Sequence, residues 1–249
     1  MNEAKSKRLF FDERELKPPK ASYVAWVDMM GTRNAMSQSL AASANHIGRV
    51  HAAIIRSKDL GCCVYPVMDG AYITSEKQAP MLATLRGFFK LCAEYFAGTE
   101  KPEHRFLVRG GLAFGPVIHG ADISAACNAE LGNMQEYKQS LLFGIPMIQA
   151  NSSEALAPPF GLYLDESARA FAGEGATPFS GVWQKWWDKE LPEGFLKRLY
   201  EHFGWCEANW RRVEYKLERV KEHTEMAHQY FGSADGENKP AAQTTAATP

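Results

Sequence analysis

The stretch "YVAWVDMMGT" (residues 23–32) runs five apolar residues into a carboxylate and then a small-residue turn. Tyr23 to Val27 reads as a buried strand, and a charge at the end of such a run is costly unless something compensates it. Asp28 therefore constrains everything built around it. From about Asn34 to Ser57, the residues Met36, Leu40, Ala44, Ile47, Val50 and Ile54 recur at helical spacing. "CCVYPVMDGAYITSE" predicts two short strands about a turn at Asp69-Gly70. "PMLATLRGFFKLCAEYFAG" predicts a second helix, with Pro80 near its start and Gly98 as its stop.

"HRFLVRGGLAFGPVIHG" returns to strand, its glycines marking a bulge or close backbone approach. "SLLFGIPMIQANSSEALA" predicts helix after Pro146, and "FGLYLDES" a strand leading into a helix cap. This order argues an α+β fold: a ferredoxin-like split βαβ sheet with helices on one face, plus a C-terminal helical extension. The expected division is an extended arm over 1–20, a main domain over 21–205, a charged helix over 206–232 and a disordered tail over 233–249. Trp183, Trp186 and Trp187 read as a packed satellite cluster.

A formal net charge of -1 over 249 residues gives no reason to expect a nucleic-acid polymer or an anionic membrane as partner. No apolar run approaches the roughly 20 residues of a membrane span. Five cysteines, an odd count without a C-x-x-C pair, and no segment resembling a signal peptide predict reduced thiols and a cytoplasmic location. Cys62 and Cys63 read as packing residues.

In a split βαβ sheet the first strand lies beside the hairpin, so Asp28 and Asp69 reach the same edge. Two carboxylates brought together force one to protonate unless a cation sits between them. A pair of divalent ions, Mg²⁺ or Mn²⁺, resolves this, with substrate phosphates completing the coordination shells. The small residues after Asp28 predict a turn whose N–H groups point at phosphate. Arg109, in the "RGGLAFG" strand, is a candidate phosphate ligand because a guanidinium fork matches phosphate oxygens. Taken singly, Asp28 also reads as a helix cap, Asp69 as an ordinary hairpin residue and Arg109 as half of a surface salt bridge.

These motifs, in this order, resemble the class III nucleotidyl cyclase catalytic domain. "VDMMGT" is similar to that family's first metal-aspartate motif and "VYPVMDGAYI" to its hairpin with the second. "FLVRGGLAFGPVIHG" is similar to its Arg-x-Gly strand, and "LLFGIPMIQANSSEAL" to its Gly-led helix. The resemblance covers about Tyr23 to Ser167. It implies closure of a nucleoside triphosphate to a 3′,5′-cyclic monophosphate with release of pyrophosphate. It further implies two divalent cations on Asp28 and Asp69, with the Met29 carbonyl in one metal's shell, and substrate contacts from Met30, Gly31, Thr32 and Arg109. The active unit would be a homodimer with sites at its interface, one subunit bringing metals and the other the base-reading residues.

The departures carry information too. The family's helix offers an Asn and an Arg where this chain has Ile148 and Ser152, leaving Gln149, Asn151, Arg33 and Arg105 as possible substitutes. At the two base-reading positions stand Tyr65 and Leu141. A leucine accepts no hydrogen bond from adenine's amino group, and a tyrosine fills more of the pocket than a glutamate and presents one hydroxyl, which suits a smaller base. That pattern resembles the pyrimidine cyclases of bacterial Pycsar antiphage systems, and implies UTP or CTP as substrate, UTP by prevalence. Cyclic UMP or cyclic CMP would then act through an effector with a cyclic-nucleotide-binding domain. A nucleotide-binding domain of the same fold without activity is the alternative that the missing Asn and Arg favour.

Overall fold

The computed structural model describes residues 10–32, 36 and 39–232. Among them, seven strands form one sheet in the order β2-β3-β1-β4-β6-β7, with short β5 beside β4. β1 (Lys20–Met29) pairs antiparallel with both β3 (Gly70–Ser75) and β4 (Val108–His119), and β2 (Cys63–Val67) pairs antiparallel with β3. That is the split βαβ arrangement, extended by β6 (Leu162–Leu164) parallel to β4 and β7 (Trp183–Gln184) antiparallel to β6. β5 is Leu142–Phe143.

Helices α1 (Leu40–Ser57) and α2 (Gln78–Gly98) cover one face of this sheet. Tyr23, Ala25, Val27 and Met29 point into that layer, beside Ile54, Phe88, Phe89 and Phe96. The odd–even alternation of a strand then sends Val24 and Trp26 to the opposite face, and both are buried as well. A second apolar face needs its own cover. It is supplied by α3 (Ile145–Glu154), which crosses β1 and β4 and buries Ala150 against Val24, Trp26 and Ala113. The expectation of helices on one face is therefore corrected: the sheet is covered on both. Gly111 permits the approach, because a Cβ there would stand 2.1 Å from the Ala150 carbonyl oxygen.

Sequence periodicity misplaced part of α1. Ser39 caps it, accepting from the Ala42 N–H at 3.2 Å, and the buried positions are Ser43, His46, Val50, Ala53 and Ile54. Leu40 and Ala44, expected inside, are exposed. Packing of the His46 ring on Phe106, centroids 5.3 Å apart, sets the helix's rotation. The expected start near Asn34 lies outside the described residues. Cys62 packs as expected, receiving the Thr84 hydroxyl at 3.3 Å, whereas Cys63 faces out from edge strand β2.

The C-terminal segment is helical but broken. α4 (Phe195–Ala208) is followed by one turn, Trp210–Val213, and then by α5 (Leu217–Gly232). Glu214 separates them in the left-handed region, φ 50°, which turns the chain back so that Tyr230 and Phe231 reach the core. There they meet Trp187, with ring centroids 5.0 and 5.1 Å away. The tryptophans are thus part of the main core, not a satellite: Trp186 is buried against Phe89 and Phe195 and donates to the Phe160 carbonyl at 2.7 Å. No described helix is long and apolar enough to cross a membrane. Tail residues 233–249 and arm residues 1–9 lie outside the described part. The rest of the arm makes a short 3-10 turn, with Asp12 donating its N–H to the Cys127 carbonyl at 2.8 Å.

Candidate active site

Asp28 sits opposite Gly70 on one side and opposite Arg109 on the other. Directly opposed residues of antiparallel strands share a face, so Arg109 stands beside Asp28 while Gly70 brings the hairpin turn alongside. Only glycine fits at position 70. A Cβ would stand 2.3 Å from the Val27 carbonyl oxygen and 3.1 Å from Asp28 Oδ1. The neighbouring Asp69 then adds its charge to that of Asp28, as the hairpin motif led us to expect.

The result is an electrostatic conflict. Burial pushes the Asp28 carboxyl up to about 7, and the charges of Asp69 and Glu154 add to the rise. The Met29 N–H, donating to Asp28 Oδ1 at 2.9 Å, and the Arg109 guanidinium only partly oppose it. A carboxyl raised this far by burial and by two nearby acids marks a candidate functional group.

Glu154 is the residue that sequence reading missed. It closes α3, where the helix dipole disfavours a carboxylate, and it accepts a hydrogen bond from Arg109 Nε. Both side chains are largely buried, 15% and 10% exposed. Arg109, expected to bind phosphate, is therefore held in an ion pair, and reaches the Ala155 carbonyl at 3.4 Å as well. An acid in the last turn of a helix crossing an arginine-bearing strand was the available signal.

The turn after Asp28 departs from expectation. The Met29 N–H is spent on Asp28, and the Met30 N–H on the Leu107 carbonyl at 2.9 Å, so neither points at phosphate. Gly31 adopts φ 77°, and the Thr32 hydroxyl donates to the Met29 carbonyl at 3.0 Å. Arg105 lines the same cavity as Asp28 but is tied to the backbone. It is 6% exposed, and its guanidinium donates to the carbonyls of Thr99, Glu100 and Arg198. Arg33 lies outside the described residues. On α3, Ile148 and Ser152 are exposed and Gln149 is half-buried.

The expected base readers gather elsewhere on the sheet. The Tyr65 hydroxyl is hydrogen-bonded to His119 Nδ1, and Leu142 pairs with His119 in register. Leu141 adjoins them, its carbonyl accepting from the Gly120 N–H at 2.8 Å. Tyr65 is 7% exposed and packs with Trp26 and Val117. Strand spacing and register put it about 12 Å from Asp28, on the same face of the sheet.

Asp28, Arg109 and Glu154 instead line a cavity of about 440 Å³ whose far wall is built by the C-terminal helices. His202 and Trp205 of α4, and Tyr215, Arg219 and His223 from the broken segment, face the same space. Nothing in the charged pattern of residues 207–231 marked them as part of a site.

The donor set suits a hard divalent cation. Asp28 and Asp69 offer carboxylates and Met29 a carbonyl, and Mg²⁺ is commonly held by one or two carboxylates with substrate oxygens completing its shell. Among the described residues, no group of three or more His, Cys, Asp or Glu side chains is arranged to hold an ion unaided. A cation here would need oxygens from a ligand.

No protein-family model matches the chain, and no curated protein matches it in sequence. Among solved structures, that of a bacterial light-regulated adenylyl cyclase is similar, with 15% identity and a TM-score of 0.44. The match covers 62% of this chain and 48% of that one, so the chain spans about half the length of that structure. At this degree of likeness, only the residues of the site bear on function.

Proposed function

We propose that this protein is a metal-dependent nucleotidyl cyclase. The observation that carries the reading is the meeting of Asp28 and Asp69 at one sheet margin, where burial and mutual repulsion disfavour two ionised carboxylates and a cation would relieve them. In this reading the ribose 3′-hydroxyl attacks the α-phosphorus of a nucleoside triphosphate, the α–β bridging bond breaks, and pyrophosphate leaves. Bound Mg²⁺ or Mn²⁺ would supply hydroxyl activation and charge neutralisation at the α-phosphate. Asp28, Asp69 and the Met29 carbonyl are the residues that would hold it. Arg109 orients Glu154 and damps the local negative charge.

The finer reading is a pyrimidine cyclase, UTP before CTP. It is supported by Leu141, which offers no acceptor to an adenine amino group, and by Tyr65, whose hydroxyl acts with His119 as one polar unit. The working unit in this reading is a homodimer with its sites at the interface. Phe143 of β5 and Ile145 and Ile148 of α3 stand 46%, 63% and 65% exposed as candidate contact residues. The catalytic domain is 21–205, with 206–232 closing it, and the product acts on a cyclic-nucleotide-binding effector in antiphage defence.

A second reading, a nucleotide-binding domain without turnover, is favoured by exposed Ile148 and Ser152 where a charge-stabilising pair is expected. One assay separates them. The pure protein is incubated with each of the four triphosphates and Mn²⁺, and products are read by mass spectrometry. A cyclic pyrimidine nucleotide is the expected product. Tight triphosphate binding with no cyclic product establishes the second reading instead.

A further inference from the structure

The turn that carries Asp69 is held by a residue outside the carboxylate pair. Val67 pairs with Gly70, so Met68 and Asp69 alone join β2 to β3. Met68 sits in the left-handed backbone region, φ 44°, where hairpin turns ordinarily place Gly, Asn or Asp. Its side chain is 75% exposed, so burial does not offset that strain. A strained residue persists where its surroundings over-determine it. Two constraints do so here. On the β3 side, Gly70 is seated against the Val27 carbonyl oxygen. On the β2 side, His51 of α1 reaches the Met68 carbonyl oxygen, 2.8 Å from its Nε2.

A carbonyl oxygen accepts and does not donate, so Nε2 carries the proton in this contact. That holds for the neutral ring and for the imidazolium alike. The helix behind it is fixed, because Val50, Ala53 and Ile54 are buried and His46 packs on Phe106. Half-buried His51 therefore ties the turn to an element that the core holds in place. Asp69 is the next residue along, and its charge acts on Asp28. In a turn of two residues, what holds the first also sets the second.

We propose that His51 is a positioning residue for the candidate active site: by donating to the Met68 carbonyl it holds the strained turn and fixes Asp69 beside Asp28. It acts through Asp69 and not on the nucleotide. This deepens the cyclase reading and rests on it for the role of Asp69, whereas the hold on the turn is independent of any ligand.

Three measurements on the full chain test it. In ¹⁵N-histidine spectra of the metal-free protein at pH 8, the ring signal missing from His51→Gln should show its proton on Nε2. A proton on Nδ1 instead overturns the proposal. In ¹⁵N relaxation, still without metal, the order parameter of the Asp69 amide should fall from about 0.85 toward about 0.6 in His51→Ala, while Ile73 of β3 stays rigid. With Mn²⁺ and inorganic triphosphate, ion uptake read by electron paramagnetic resonance should weaken about tenfold in His51→Ala, the lower end for a group that orients a metal-bearing carboxylate. His51→Gln, whose amide N–H reaches the same carbonyl, should stay within about threefold. Adding Met68→Asn to His51→Ala should recover most of the loss, because Asn enters the left-handed region readily. A histidine that merely stabilised α1 would give no such rescue.

A rigid Asp69 or undiminished ion uptake in His51→Ala overturns the proposal, as does failure of both rescues. Should His51→Ala fail to fold, the histidine spectrum of the unaltered protein decides. A native chain that takes up no Mn²⁺ and cyclises nothing overturns the cyclase reading, and the relaxation data then decide on His51. A chain that cyclises with Asp69 equally rigid in His51→Ala overturns only the role given to His51.

Discussion

Two polar clusters share one face of the sheet, and they are built on opposite principles. Around Asp28, burial first and then the charges of Asp69 and Glu154 drive the carboxyl up to about 7, against a single nearby guanidinium, Arg109. Around His119, the Tyr65 hydroxyl and an imidazole satisfy one another among apolar neighbours. The second cluster is complete within the fold, while in the first Asp28 holds its proton toward neutral pH, a state that a bound cation would change. A fold tolerates such an imbalance where a ligand removes it.

The largest test of this contrast is catalytic. Asp28→Asn or Asp69→Asn should lower cyclic-nucleotide formation by at least about a thousandfold, the scale of losing a metal or charge-stabilising group, with circular dichroism unchanged. Tyr65→Phe should leave the rate within about tenfold. Equal losses at both clusters would break the distinction.

Stability gives the next test. Asp28 has a folded-state value raised above its ordinary one, so the folded protein binds the extra proton between about pH 4 and 7. Without divalent ions, stability should therefore fall as pH rises through that window, by up to about 4 kcal/mol. Denaturant melts from pH 4 to 8 should show that slope in the native chain and lose it in Asp28→Asn. Added Mg²⁺ with a nucleoside triphosphate should raise the melting temperature of the native chain at pH 8, and leave Asp28→Asn unmoved.

Glu154→Gln probes the ion pair. Removing one partner of a largely buried pair should cost about 2–3 kcal/mol through the stranded Arg109, a moderate case of the usual penalty. The same change removes one of the charges acting on Asp28, so the pH slope should move to lower pH. A slope unmoved by Glu154→Gln would detach α3 from the site. The smallest expected effect is at Tyr65→Phe, about 1 kcal/mol of stability from one lost hydrogen bond, measured by urea melts. A loss several times larger would mean that the Tyr65–His119 cluster is no simpler than the other.

Much of this was legible in the sequence, because much of it is local. The strand at Tyr23–Val27, the Asp69-Gly70 turn and the helix after Pro146 each follow from side-chain period or turn chemistry over a few residues. Their order then forced Asp28 and Asp69 together. Two-sided burial of β1 was written in its apolar run but not in any period, because consecutive apolar residues do not say what covers the second face.

What the sequence alone determined is therefore the scaffold and the acid pair, since both depend on contacts between neighbouring strands in a known order. What only the tertiary structure decided is the charge balance around that pair. Glu154 lies 45 positions from Arg109 in the chain, and His223 more than a hundred. Residues that distant meet only through helix packing and through a left-handed residue at Glu214. The ionisation of Asp28 depends on its burial and on Asp69, Glu154 and Arg109 at once, because Coulomb interactions and desolvation are set by three-dimensional distance and not by position along the chain.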